Sequence, residues 1–238
     1  EMCIRDRLYS GRQEAMGIIK AMASEITVFD VFGGIGISAG IAFARAAKGA
    51  YDFEKQFQQS MKEVATLSNG IKGSLTDYMN QVMEITRTIP VEANEAAKAL
   101  YQIVSAGHDG ANGMKVLEAS AKAAVGGVTD TATAADAITT VLNAYKLDAS
   151  KAQEVSDQLF TTVRLGKTDF GQLGKSIAQA APIAASFGID IKEVLGAVAS
   201  ITKQGVPTSE AMTKIRAAIL GTANQLGDAA FKLSLIHI

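Results

Sequence analysis

The sequence predicts an all-α protein of packed helical hairpins, a bundle preceded by a long amphipathic helix. Three observations point there. Apolar residues recur at helical spacing along most of the 238 residues. Glycine, Asn-Gly or proline interrupts these stripes at short intervals, as the brief loops of a bundle require. No run alternates apolar and polar residues as a half-buried strand would.

Residues 13–32 place Ile19, Met22, Ile26 and Phe29 on one helical face. Residues 32–40 are apolar and glycine-rich and read as a tight connection between two packed helices. The uncharged run 31–44 is shorter than the roughly 20 residues that span a bilayer as a helix, so a membrane-active segment is the alternative reading. Residues 43–67 keep 3-4 spacing through Phe43, Ala46, Ala50, Phe53, Phe57, Ser60, Val64 and Leu67, with Glu54, Lys55, Lys62 and Glu63 off the seam. That predicts one long helix packing on partner helices, of this chain or of another copy. Asn69-Gly70 and Gly73 break it. Ser74 with Asp77 then resembles a capping box with a shortened acid. It opens a helix carrying Leu75, Tyr78, Val82, Ile85 and Ile89, which Pro90 closes.

Residues 92–124 form an αα-hairpin. Ala96, Leu100, Ile103 and Val104 share a face, and Gly107 stops the helix because glycine accepts the left-handed conformation. Residues 109–113 turn, and Met114, Leu117, Ala121 and Val125 begin a second stripe. The plan returns: residues 189–215 overlay 91–117 without a gap at an offset of 98, the separation of Gly107 and Gly205. Glu95 meets Glu193, Ala99 meets Ala197, Ile103 meets Ile201 and Met114 meets Met212. The shared order of stripe, glycine stop and stripe weighs more than these identities in an alanine-rich chain.

After Gly126-Gly127, Thr129 or Asp130 can cap a helix bearing Ala135, Ile138, Leu142 and Tyr145. Asp148 caps the next, with Ala152, Val155, Leu159 and Val163, and Gly166 ends it. Thr168 opens one with Phe170, Leu173, Ile177 and Ala180, which Pro182 kinks or ends. Asp190 with Glu193 caps the helix running to Lys203, and residues 209–221 hold the last, with Met212, Ile215 and Ile219. The expected core is Leu100, Ile103, Leu117, Ile138, Leu142, Leu159, Leu173, Ile177, Val198, Ile201 and Ile215.

Four regions follow. Residues 1–12 are a non-native or disordered end. Residues 13–73 hold the N-terminal helices, and 74–224 the all-α core domain. Residues 225–238 are a linker and non-native end. Segments 2–7 and 233–238 do not continue the composition of their neighbours, so Cys3 and His237 receive no role.

A net charge of −1 argues against a dedicated nucleic-acid binder, which would show a basic surplus. The single Cys excludes an internal disulfide framework and a Cys-based zinc site, and fits a reducing compartment. Gly166-Lys167-Thr168 and Gly174-Lys175-Ser176 end like phosphate-binding loops, but Thr161 and Asp169 stand where the motif needs its first glycine. Gly34, Gly36 and Gly40 lack the βαβ setting of a dinucleotide fingerprint. His108 beside Asp109 could act as a base or metal ligand, yet reads better as a turn whose Asp bonds the local backbone. Glu92, Glu95, Asp130 and Asp136 sit near helix starts, where the helix dipole accounts for them. No catalytic, cofactor-binding or metal-binding residue is assigned, no cofactor is expected, and the chain does not read as an enzyme.

The run from Ala50-Tyr51-Asp52-Phe53-Glu54 to Val64, then the segment 99–107, strongly resembles the core region of bacteriophage tail tape measure proteins. So do segments 134–138, 141–145, 168–173, 184–188 and 211–219, in that order. The resemblance runs from about Ile35 to about Asn224 and brings no catalytic residues with it. It implies a structural virion protein that sets tail length during assembly and leaves with the genome on infection. It implies residence in the tail lumen, and in the host cytoplasm during assembly. Implied partners are further copies through residues 43–67, tail tube subunits and tail assembly chaperones. Transient contact with the host membrane is left open, and sequence-specific nucleic-acid binding is not expected. Fully helical, the chain would reach only roughly 360 Å.

Overall fold

A computed structural model describes the backbone of residues 35–68 and 75–236, and the side chains of 48–68 and 75–222. The helix expected over 13–32, the break at 69–73, the Ser74 cap and the end segment 1–12 lie outside the described residues. The chain divides into two compact units, Glu1–Lys55 and Gln56–Ile238. Of the first, only helix is described.

Among the described residues there is no strand. The helices are α1 (Ile35–Leu67), α2 (Leu75–Thr88), α3 (Ala93–Ser105), α4 (Gly110–Gly127), α5 (Thr131–Ala144), α6 (Ala152–Leu165), α7 (Phe170–Ile177), α8 (Ala181–Ser186), α9 (Ile191–Lys203) and α10 (Thr208–Ile236). A 3-10 turn, Ala149–Lys151, leads into α6. Aspartate makes five of the described helix starts. Asp109, Asp130, Asp148, Asp169 and Asp190 each turn a carboxyl oxygen onto an amide of the first turn, satisfying donors that the helix itself leaves unpaired. The cap of α5 is therefore Asp130 rather than Thr129, and that of α7 is Asp169 rather than Thr168. Pro182 sits in the first turn of α8, where its missing N–H costs nothing, so the stripe expected to kink becomes two short helices.

Several boundaries differ from the sequence reading. α1 starts at Ile35, so the glycine-rich stretch from there on is helix rather than connection. The backbone of α10 continues to Ile236, past the stop read at Gly221, through a segment with no proline to break it. The face of α1 that the second unit buries is Phe57, Met61 and Val64, while Ser60 is half-buried and Phe53 and Leu67 are exposed. A straight helix drifts off a strict heptad seam, so spacing i, i+4, i+7 replaces the 53–57–60–64–67 seam.

Every expected core residue is buried except Ile201, which is half-buried. The core centres on α5. It packs against α3, α4, α6, α7 and α8, and buries Ala134, Ala135, Ala137, Ile138, Val141 and Leu142. Apolar residues nearly all round make it an interior helix rather than a surface one. Small residues let its neighbours approach closely: a Cβ on Gly174 of α7 would lie 3.3 Å from both Ala137 and Thr133.

The duplication seen in residues 91–117 is larger in the structure. Shifting α3 by 98 residues gives the bounds of α9, and the start of α4 gives the start of α10. Gly107 and Gly205 take φ of +94° and +96°. Upstream, the last residues of α1 correspond to α6, ending at Leu67 and Leu165, and α2 corresponds to α7 with α8. Equivalent core positions agree: Phe57 with Val155, Met61 with Leu159, Leu100 with Val198, and Met114 with Met212 are all buried. The second unit is thus two copies of one helical plan, with α5 in contact with both.

Candidate functional site: helix-end junctions and the α6–α9 groove

Asp109 gathers three elements. Its carboxylate accepts from Gly110 N at 2.6 Å, from Ser68 Oγ at 2.6–2.7 Å and from Tyr78 Oη at 3.0 Å. The local bond was legible in the sequence. The two hydroxyl donors, from the end of α1 and from α2, were not, because they come from 41 and 31 residues away. Burial, with the hydrogen bond and charge of Asp109, pushes the Tyr78 phenol up to about 12. His108 turns the other way, with Nε2 3.0 Å from Asn143 Oδ1, and Asn143 Nδ2 donates to Ala106 O at 2.9 Å. His108 and Asp109 therefore do not work as a pair. Each fastens the α3–α4 turn to a different neighbour.

The second copy has a junction at the matching place. Thr168 and Thr208 meet hydroxyl to hydroxyl at 2.6 Å, and Lys167 N donates to the buried Thr202 Oγ1 at 3.2 Å. This accounts for Gly166-Lys167-Thr168, which ends like a phosphate-binding loop. Its amide and hydroxyl face the α9–α10 turn, and a Cβ on Gly166 would lie 2.7 Å from Thr202 Oγ1, so that glycine is needed for contact. The similar Gly174-Lys175-Ser176 lies within α7, where Ser176 Oγ donates to Gln172 O. Neither is arranged as an anion cradle.

Of the carboxylates near helix starts, Asp130 caps its own helix through Thr133 N at 2.7 Å. Burial resists its ionisation, but hydrogen bonds from the Thr133 hydroxyl and backbone outweigh that and hold it below the usual carboxylate range. Glu95, in the first turn of α3, reaches instead to the N-terminus of α5 and accepts from the Thr131 amide and hydroxyl. The dipole argument applies to it, but the helix it serves is a neighbour's.

An open groove runs along α6 and α9, bordered by Glu154, Asp157 and Lys192 over Leu165, Leu195 and Ala199. Hydrogen bonding to Lys151 and the charges of Lys151 and Lys192 hold Glu154 below the usual carboxylate range. Among the described residues no three His, Cys, Asp or Glu side chains cluster as a metal site, and no helix is long and apolar enough to cross a membrane. The junctions fasten helix ends of this chain to one another. They show no nucleophile paired with a base.

The family model described as phage-related minor tail protein matches residues 79–234. The chain is 31% identical over 163 residues to a protein described as a probable tape measure protein of Clostridium phage phiCD119, covering 67% of this chain and 17% of that one. It is 23% identical over 164 residues to the tape measure protein of Pneumococcus phage Dp-1, covering 69% and 14% respectively. The chain thus spans less than a fifth of either relative. No solved structure matches it.

Proposed function

The chain belongs to the phage-related minor tail proteins, and on that premise we propose that it acts as part of a tape measure protein, setting tail length during assembly and leaving with the genome on infection. A structural role in the phage tail follows from the family. The length-setting role is supported by one observation above others: about two thirds of the chain is similar to a probable tape measure protein of one phage and to a tape measure protein of another. The helical build suits it, since helices convert residue number into length at about 1.5 Å per residue. The proposed setting is the tail lumen, after assembly in the host cytoplasm. The proposed partners are tail tube subunits, assembly chaperones and further copies of the chain through residues 43–67. The test uses the complete gene. In-frame deletion of helical segments outside this region should shorten tails in proportion to the residues removed. Unchanged tail length in viable particles would reject the reading.

A further inference from the structure

The duplication leaves one face of the second copy uncovered. In the first copy α5 packs along both α3 and α4. Two contacts fix its ends on α3. Glu95 accepts from the Thr131 amide and hydroxyl at the start of α5, and Asn143 Nδ2 near its end donates to Ala106 O at 2.9 Å. Between these points Ala99 and Ile103 are wholly buried. At the 98-residue offset the same edge of α9 is Glu193, Ala197 and Ile201. The glutamate is kept but exposed, and Ala197 and Ile201 are only half-buried. The missing cover is why Ile201, alone of the expected core, stays partly open.

α10 shows the same gap. Ser120, Ala123 and Ala124 of α4 are buried, whereas their counterparts Ala218, Gly221 and Thr222 are exposed. Small residues there let a helix approach as closely as α5 approaches α4. One counterpart is charged: Lys214 replaces the buried Val116, and its ammonium pairs with Glu210 at 2.8 Å. The offset also supplies a start for the covering helix. Asp130, which caps α5, falls on Asp228, directly after Gly227. Here the backbone of α10 runs through that point to Ile236. The relatives carry far more polypeptide than the matched region.

We propose that the α9–α10 face is the seat of a further helix of α5's kind, which starts at Asp228 in the complete protein and continues the repeat. Its first-turn amide bonds Glu193, without the hydroxyl that Thr131 adds in the first copy, because Ala229 holds that position. Its apolar side covers Ala197, Ile201 and Ala218. α10 then ends at Gly227, whose freedom at φ allows the chain to turn back. This does not depend on the length-setting role, because it rests on the difference between the two copies.

Thiol labelling tests it in a Cys3→Ser background, comparing the chain of 238 residues with the protein from its complete gene. Ala218→Cys should react freely in the shorter chain and at least roughly tenfold more slowly in the complete protein, where labelling waits for the covering helix to open. Arg216→Cys should react alike in both, since its counterpart Glu118 stays exposed in the covered first copy. Glu193→Ala in the complete protein should speed labelling of Ala218→Cys several-fold. Glu193 is exposed, so the fold should persist, and circular dichroism checks it. Equal labelling of Ala218→Cys in the two proteins, protection of Arg216→Cys to the same degree, or indifference to Glu193→Ala would overturn the proposal. Protection that fades on dilution would make a second copy the occupant and overturn it too.

Discussion

Tyr78 donates its hydroxyl to Asp109 across 3.0 Å, joining α2 to the cap of α4. The carboxylate holds Gly110 N and Ser68 at the same time, and burial, with the hydrogen bond and charge of Asp109, keeps the phenol protonated well into alkali.

The Asp109 junction should therefore weigh more than an ordinary cap. Asp109→Ala removes the cap, about 1 kcal/mol, and takes the acceptor from the Tyr78 hydroxyl, so a loss of roughly 2–4 kcal/mol is expected in urea unfolding. Tyr78→Phe should cost about 1 kcal/mol, and the double variant should show coupling between the two. The pH dependence has a definite sign. A phenol raised from 10.0 to about 12 contributes stability that is whole below pH 10 and lost as pH rises through 12. Tyr145, raised to about 12 by burial and by the charges of Asp190 and Glu193, adds to the same fall. Tyr78→Phe should make the alkaline loss smaller but not abolish it.

Gly107 and Gly205 test the duplication. Both have φ near +95° and neither has an atom within 4 Å of an added Cβ. Alanine at either site meets only backbone strain, so each should cost about 1–2 kcal/mol, and the two should be alike. Unequal costs by thermal unfolding would show that the turns are not energetically equivalent.

The α4–α5 turn should show the opposite pattern. Val128 is 94% exposed at φ 49°, a conformation a β-branched residue rarely adopts. Val128→Gly should stabilise by roughly 1 kcal/mol, because strain is relieved and no contact is lost. Gly127→Ala should destabilise instead, since its Cβ would fall 2.6 Å from Phe170 Cβ. A rise for Gly127→Ala would show that this contact relaxes without cost.

Self-association through residues 43–67 now narrows to the part of α1 outside the buried Phe57, Met61 and Val64. Phe53, 40% exposed, is the informative position. The full chain should show a mass above the monomer by light scattering at high concentration, and Phe53→Asp should lower it without changing the melting temperature. Monomer in both proteins would remove this seam as a contact between copies.

The sequence by itself determined the fold class, most helix positions and nearly all of the core. Periodicity is a local property, and glycine and aspartate act within one turn of where they stand. Gly107 and Asp190 could therefore be placed from their neighbours alone. Tertiary structure decided the rest. Gly126 and Gly127 stand at the end of α4, where the sequence leaves room for the next cap, but only the packing shows that Phe160 and Phe170 press against them. Glu95 looked like a residue of its own helix, but it caps another. The face of α1 rotated to Met61 because burial follows the surface it meets, not the best heptad. Asp109 gained Tyr78 and Ser68, 31 and 41 residues away, and α9 its groove, only when separate helices came together. Contacts at that separation depend on how whole helices pack, and the local stripe of either helix does not contain them.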